Sequence, residues 1–235
     1  MARTVIVGDL HGCRGELEDL LAYVGFTRDD RLVSVGDLVV RGPDPRGTLR
    51  LIRSLGGRAV RGNHEDRLLR WRRSVGTGYD LVIGNVTRKT ARALRPRDWA
   101  YIESLPLWLD LPEHGVRVVH AGLLPGIPIE QQDARTLLYV RTLGRRGEAI
   151  ETRGRSWAHW YDGPEHVVFG HNAQPAPEIA AFATGIDTGA GYGGRLTAMV
   201  LRDHERPPPP HDRHAVLVSV PARRIWSAIS KRPRA

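Results

Sequence analysis

An α/β fold is predicted for this chain of 235 residues by three observations. Short β-branched runs recur along its first third, each closed by a polar, glycine-containing turn and followed by apolar residues at helical spacing. The turns collect Asp, Asn and His at strand ends, where layered α/β folds bind their ligands. The length suits one good-sized core, so a single domain over residues 1–235 is expected.

Residues 4–7 form the first run and stop at Gly8-Asp9-Leu10-His11-Gly12, after which Leu17, Leu20, Leu21 and Val24 recur on one helical face. A strand at 32–35 runs into Gly36-Asp37-Leu38-Val39-Val40-Arg41-Gly42-Pro43, and the breakers at 43–46 lead to a helix near 48–55. Residues 58–60 make a short third strand that ends at Gly62-Asn63-His64-Glu65, with Leu68, Leu69 and Trp71 on one face of the helix beyond. Residues 76–105 are polar, Arg-rich and helical in pattern, and are expected to form a cap-like insert over the site.

Strands at 107–111 and 116–119 follow, joined by a turn, and the second ends in His120-Ala121-Gly122. A helix near 134–143 precedes a strand at 167–169 that ends in Gly170-His171-Asn172. The strands at 196–201 and 215–220 have hairpin spacing, which predicts a second, mixed or antiparallel sheet. Between them, residues 204–213 hold Pro207 to Pro210; proline gives a sheet no amide hydrogen, so this reads as an exposed polyproline loop. Residues 223–235 read as a basic tail.

The formal charge of +9 and pI near 10.5 come almost wholly from Arg, since Lys89 and Lys231 are the only lysines. Arg is scattered along the chain, so a dedicated nucleic-acid patch is not expected, capped RNA 5′ ends excepted, while positive potential near a cleft would attract nucleotides or phosphorylated substrates. Cys13 is the single cysteine, which excludes an intramolecular disulfide. The opening apolar run is too short for a signal peptide and no stretch approaches a membrane span, so a cytoplasmic protein without a membrane partner is expected. Nothing in the sequence sets an oligomeric state.

Taken together, Asp9, His11, Asp37, Asn63, His64, His120 and His171 form a set of oxygen and imidazole donors. Such a mixture suits Mn²⁺, Fe or Zn²⁺, whereas Mg²⁺ takes mostly oxygen and structural Zn²⁺ favours Cys. Seven donors exceed the needs of one tetrahedral ion, which points to two ions sharing one carboxylate. Asp37 is the expected bridge. Asp9 and His11 complete the first ion, Asn63, His120 and His171 the second, and His64 is left for proton transfer. Each residue alone has a plain alternative as a helix cap or a semi-buried histidine; their recurrence at successive strand ends is what caps do not explain.

In order and spacing, these motifs resemble those of the calcineurin-like metallophosphoesterases. Within that family they are similar to the phosphoprotein phosphatase branch, which includes bacterial and phage protein phosphatases and bacterial symmetrical diadenosine tetraphosphate hydrolases. The resemblance implies a four-layer α/β sandwich, two central mixed sheets flanked by helices, with a dinuclear site on one edge. It implies two divalent transition-metal ions, Mn²⁺ first, with Fe, Zn, Co or Ni as alternatives, and in-line attack of a hydroxide on phosphorus. Arg41 matches the phosphate-clamping Arg of the family. Arg141 is the candidate for a second clamp, with Arg135, Arg145 and Arg146 nearby; Asn63 would also touch substrate, His64 would act as general acid, and Glu65 would orient the loop. The later block, Ile186-Asp187-Thr188-Gly189 through Thr197, resembles the last block of that branch, with a structural role implied.

One position departs from the pattern. Protein phosphatases of the branch carry an acid one residue before the clamping Arg, where it charges and orients the general-acid histidine; here Val40 stands there. A valine cannot hold an imidazole proton, so His64 should be a weak acid suited to a good leaving group. That favours a nucleoside diphosphate leaving from a phosphoanhydride over a serine alkoxide. The expectation is therefore symmetrical cleavage of diadenosine tetraphosphate to two ADP. The alternative is a metal-dependent protein Ser/Thr phosphatase, with Tyr also possible and both activities conceivable in one site, because Arg61-Gly62-Asn63-His64-Glu65 resembles the protein phosphatases.

Overall fold

The computed structural model describes residues 2–228. In chain order its elements are β1 (Arg3–Val7), α1 (Arg14–Tyr23), β2 (Arg31–Ser34), α2 (Pro45–Ser54), β3 (Arg58–Ala59) and α3 (Asn63–Ser74). Next come α4 (Asn85–Ala93), α5 (Pro96–Ser104), β4 (Trp108–Leu111), β5 (Val116–Val119), α6 (Ala134–Tyr139), β6 (Thr142–Leu143) and β7 (Ala149–Ile150). The chain continues through β8 (His166–Phe169), β9 (Glu178–Ile179), β10 (Ala183–Gly185), β11 (Arg195–Arg202) and β12 (Leu217–Pro221).

These strands form two five-stranded mixed sheets, β12-β11-β1-β2-β3 and β4-β5-β8-β10-β9, with β6 and β7 as a separate hairpin. In the first sheet β1, β2 and β3 are parallel while β11 runs antiparallel to β1 and β12. In the second, β5, β8 and β10 are parallel and the edge strands β4 and β9 antiparallel. The sheets stack face to face through Ile6, Val33 and Val35 on one side and Leu109, Val118 and Val168 on the other. On its outer face the first sheet packs Val5 and Val7 against Leu17, Leu20, Leu49 and Ile52 of α1 and α2. The second packs Val167 and Phe169 against Leu137 and Trp157. A strand covered on both faces reads as an unbroken apolar run rather than an alternating one, and Val5-Ile6-Val7, wholly buried, shows it. The expected two-sheet α/β sandwich is the fold observed.

Several local expectations need correction. The last two strands do not make a second sheet: β11 pairs with β1 from Arg3↔Arg202 to Val7↔Ala198 and so extends the first sheet with β12. Hairpin spacing identifies which strands pair with each other but not which third strand they join. The helix near 134–143 stops at Tyr139, because the Arg141 N–H is taken by Ile150 O of the β6–β7 hairpin. The insert does hold two helices, α4 and α5, yet Leu94, Trp99, Ile102 and Leu105 bury into the same cluster as Leu49 and Ile52. Arg53 of α2 reaches Asp98 at 2.8 Å, so the insert packs behind the helical layer. The proline run is not a free spacer. It leads into a 3₁₀ helix, Pro210–Val216, whose Arg213 is 1% exposed.

Of the basic tail, residues 229–235 lie outside the described residues. Its first part docks: the Arg223 N–H and Trp226 Nε1 both donate to Glu16 Oε1, at 3.0 and 2.7 Å. Among the described residues no helix is long and apolar enough to cross a membrane.

Candidate metal centre and phosphate cleft

The turns after β1, β2 and β3 in one sheet and after β5, β8 and β10 in the other meet in a cavity of about 480 Å³. Its wall includes Asp9, His11, Asp37, Arg41, Asn63, His64, Arg141 and His171. His120, wholly buried, lies just beneath, 3.6 Å from Asp37 through Nε2. All nine predicted site residues are therefore brought together. No residue of the 76–105 insert contributes to the wall, so the capping expectation fails: its apolar side chains are spent on the core behind α2 and α3.

The turns approach closely because glycine permits it. A Cβ on Gly62 would collide with the Asp37 amide and carboxylate, and one on Gly170 with the Asp9 carboxylate. The backbone at the site is unusual as well. His11, Asp37, Val40, Arg41 and His171 all have positive φ, from 48° to 80°, a region most side chains avoid and one that clusters at functional sites.

Hydrogen bonds then orient the donors. Asp37 accepts the His64 backbone N–H at 3.0 Å, and Asp9 accepts that of His171 at 3.2 Å to each oxygen. Glu65, with no exposed surface, accepts from the Val39 N–H at 3.1 Å and the Gly62 N–H at 3.0 Å, tying the second turn to the start of α3. His120 Nδ1 donates to Val35 O at 2.9 Å, which leaves its Nε2 lone pair facing Asn63 Oδ1 at 3.1 Å and Asp37 Oδ1 at 3.6 Å. Burial lowers the His120 pKa to about 4, so this ring is neutral and its Nε2 lone pair converges with the Asn63 and Asp37 oxygens. That is the donor geometry of a cation site.

Two triads of side chains can each hold an ion: His11, Asp37 and His64, and Asp9, Asp37 and His120, with all donor atoms of a triad within 4.8 Å. Asp37 belongs to both, as a bridge must. Burial is the first cause of the raised pKa values of Asp9, Asp37 and Glu65, Asp37 to about 7 and Glu65 to about 8. Carboxylates withdrawn from water and crowded together call for positive charge. The residues present thus fit divalent cations.

His64 is held differently from an activated acid. Its Nε2 accepts from an Arg41 Nη2 hydrogen at 2.9 Å, and burial lowers its pKa to about 3. Its buried Nδ1 has no hydrogen-bond partner. Arg41 also lies 4.7 Å from the centre of the Tyr192 ring. Among the Arg candidates for a second clamp, Arg141 lines the cavity and donates to Asn172 Oδ1 at 2.7 Å, whereas Arg135 is spent on Glu151 at the surface.

Sequence reasoning missed Asp187, Tyr192 and Arg153 in the cavity wall. The resemblance implies only a structural role for Asp187, yet it is buried beside Asp9, with its pKa raised first by that burial. The signal was available: Asp187 follows β10 as Asp9 follows β1, one more acid at the end of a short strand.

Comparison with known proteins places this geometry. The sequence signature of the family described as calcineurin-like phosphoesterase matches residues 2–210. The chain is 30% identical to the asymmetrical bis(5′-nucleosyl)-tetraphosphatase PrpE of Oceanobacillus iheyensis, over 85% of this chain and 89% of that one. It is 36% identical to serine/threonine-protein phosphatase 1 of Salmonella typhimurium, over 82% and 88%. A symmetrical bis(5′-nucleosyl)-tetraphosphatase of Shewanella oneidensis is 39% identical, over 58% and 50%. The crystal structure of a candidate diadenosine tetraphosphatase superposes with a TM-score of 0.80 at 36% identity, over 94% of this chain and 93% of that one.

Proposed function

The chain belongs to the calcineurin-like phosphoesterase family, and from that premise we propose that it hydrolyses the phosphoanhydride chain of dinucleoside polyphosphates, diadenosine tetraphosphate in particular. The observation that carries this reading is His64 Nδ1, buried with no hydrogen-bond partner among the described residues, while Val40, whose side chain packs into the core, offers it no carboxylate. Without a partner to stabilise an imidazolium, His64 is a poor acid at neutral pH. An anhydride whose leaving group departs as a stable nucleotide anion needs such an acid least.

Asp9, His11, Asp37, Asn63, His120 and His171 would hold two divalent transition-metal ions, Mn²⁺ first. Bound there, such ions polarise the phosphoryl oxygens and make water a nucleophile at neutral pH. The rest falls to the chain's own groups. Arg41, steadied by the face of Tyr192, presents a planar fork to two phosphate oxygens. Arg141 and Arg153 stand elsewhere on the wall to neutralise the remaining phosphates. A phosphate that takes the Arg41 hydrogens releases His64 Nε2 from the bond it now accepts.

The PrpE relative, matched along most of both chains, supports asymmetrical cleavage to ATP and AMP. The symmetrical cut to two ADP, expected from the run around Val40, has its support in a relative matched over half that protein's length. Protein phosphatase activity is the second reading, favoured by the Salmonella relative. Parallel assays of the Mn²⁺-loaded protein with diadenosine tetraphosphate and a phosphoserine peptide test all three. Faster dinucleotide turnover, with ATP and AMP as products, is the expected result; much faster peptide turnover would overturn the proposal. A cytoplasmic location accords with nucleotide substrates.

A further inference from the structure

The proline run and the start of β8 enclose a second cavity, of about 170 Å³, lined by Arg206, Pro207 to Pro209, His166 and Arg213. His166 begins β8 and His171 follows its end, so at about 3.3 Å per residue the two cavities are roughly 16 Å apart.

Arg213 is the anomaly there. Its side chain is drawn almost wholly out of water, yet every acceptor it meets is uncharged. Nε donates to Pro208 O, Nη1 to Thr184 Oγ1 at 2.6 Å and His166 Nε2 at 2.8 Å, and Nη2 reaches Ala181 O only at 3.4 Å. A guanidinium has five N–H groups, so one Nη2 hydrogen has no acceptor among the described residues. Among the described residues no Asp or Glu lines the cavity. A buried cation without an opposite charge is costly, and ordinary folds pair it.

The neighbours add positive charge and no negative charge. The Arg206 guanidinium lies over Gly115, where a Cβ would come within 3.0 Å of Nη1. The two imidazoles are already committed: His166 Nε2 to Arg213 and Thr184, and His114 to Glu205 O at 2.6 Å and Thr4 Oγ1 at 2.9 Å. Two guanidinium groups are therefore the available donors. The volume admits a tetrahedral oxyanion and is too small for a nucleoside, whose pockets begin near 300 Å³.

We propose that this cavity is a second anion site, binding a small oxyanion of the orthophosphate class between Arg213 and Arg206, remote from the metal cleft. Its charge supplies what Arg213 lacks, and guanidinium forks suit its geometry. The site also gives the proline run a role, as the wall that closes it.

Equilibrium dialysis of the full, metal-loaded chain against labelled orthophosphate tests this. Two bound equivalents are expected, one in the cleft and one here. Arg206→Gln should weaken one equivalent roughly tenfold, the loss of a charged hydrogen bond, with hydrolytic turnover unchanged. Arg213→Met should abolish that equivalent; if it does not fold, Arg206→Gln still decides. A crystal soaked in tungstate should show anomalous density between the two side chains. A single equivalent in the unaltered protein, unchanged affinity in Arg206→Gln, or density confined to the metal cleft would overturn the proposal.

Discussion

Val40 carries an unusual combination at the scale of single residues. It is 2% exposed and packs in the core beneath α1 and α2, yet its φ is 72°. A β-branched side chain adopts that conformation at a cost, while Asp tolerates it well. Val40→Asp would relieve the backbone and place a carboxylate in the sequence position from which the family's acid serves its histidine. The expected result is a rise of about tenfold or more in phosphomonoester turnover, within the range of general-acid effects. Dinucleotide turnover should change far less. The kcat/KM of p-nitrophenyl phosphate and diadenosine tetraphosphate, compared in one variant, checks this; equal effects would remove Val40 from the choice of substrate. At this scale the sequence was highly legible. Asp9, Asp37, His120 and His171 each follow a short strand, and all converge. Asp187 obeys the same strand-end rule, but the likeness of its turn to a structural block hides it.

Among the elements, α3 shows how a helix start serves the cleft. Glu65 occupies its first turn, beside an N-cap Gly62 whose amide it accepts, and spans to the Val39 amide of the neighbouring turn. One buried carboxylate thereby caps a helix and fixes the loop that carries Asp37 and Arg41. Glu65→Ala leaves two buried amides without acceptors, which predicts a loss of roughly 2–3 kcal/mol of stability. Activity should fall as well, through the displaced Asp37, and urea unfolding paired with kcat measurements would show both. A variant as stable as the original would mean that water replaces the carboxylate. Elements with local signals were located to within a few residues: α2, expected near 48–55, spans Pro45–Ser54, its start set by the Asp44 side chain, which accepts the Gly47 N–H at 2.7 Å. Elements ended by distant partners were not. The stop of α6 at Tyr139 depends on a hairpin ten residues ahead, and the docking of α5 on α2 depends on Arg53 finding Asp98.

For the whole molecule the unreadable part was which strand joins which sheet, because β1 and β11 lie nearly two hundred residues apart and their pairing has no local trace. That topology has a functional consequence. Asp9, His11, Asp37, Asn63 and His64 are carried by turns of the first sheet, while His120, His171 and Asp187 are carried by the second. Ions held across these groups would fasten one sheet to the other at the edge where buried like charges otherwise repel. Metal that binds only the native state stabilises it by mass action, about 2.7 kcal/mol at a hundredfold excess over Kd. At roughly 2–4 °C per kcal/mol for a chain of this size, chelation should therefore lower the Tm by roughly 5–11 °C, and added Mn²⁺ should restore it. Asp37→Asn, which removes one charge from both triads, should show little response to Mn²⁺ and no metal-dependent turnover. Calorimetry with and without chelator, on both proteins, reads the effect independently of catalysis. If the variant gained as much stability from Mn²⁺ as the unaltered chain, Asp37 would not be the shared ligand, and the two sheets would owe their docking to the apolar interface alone.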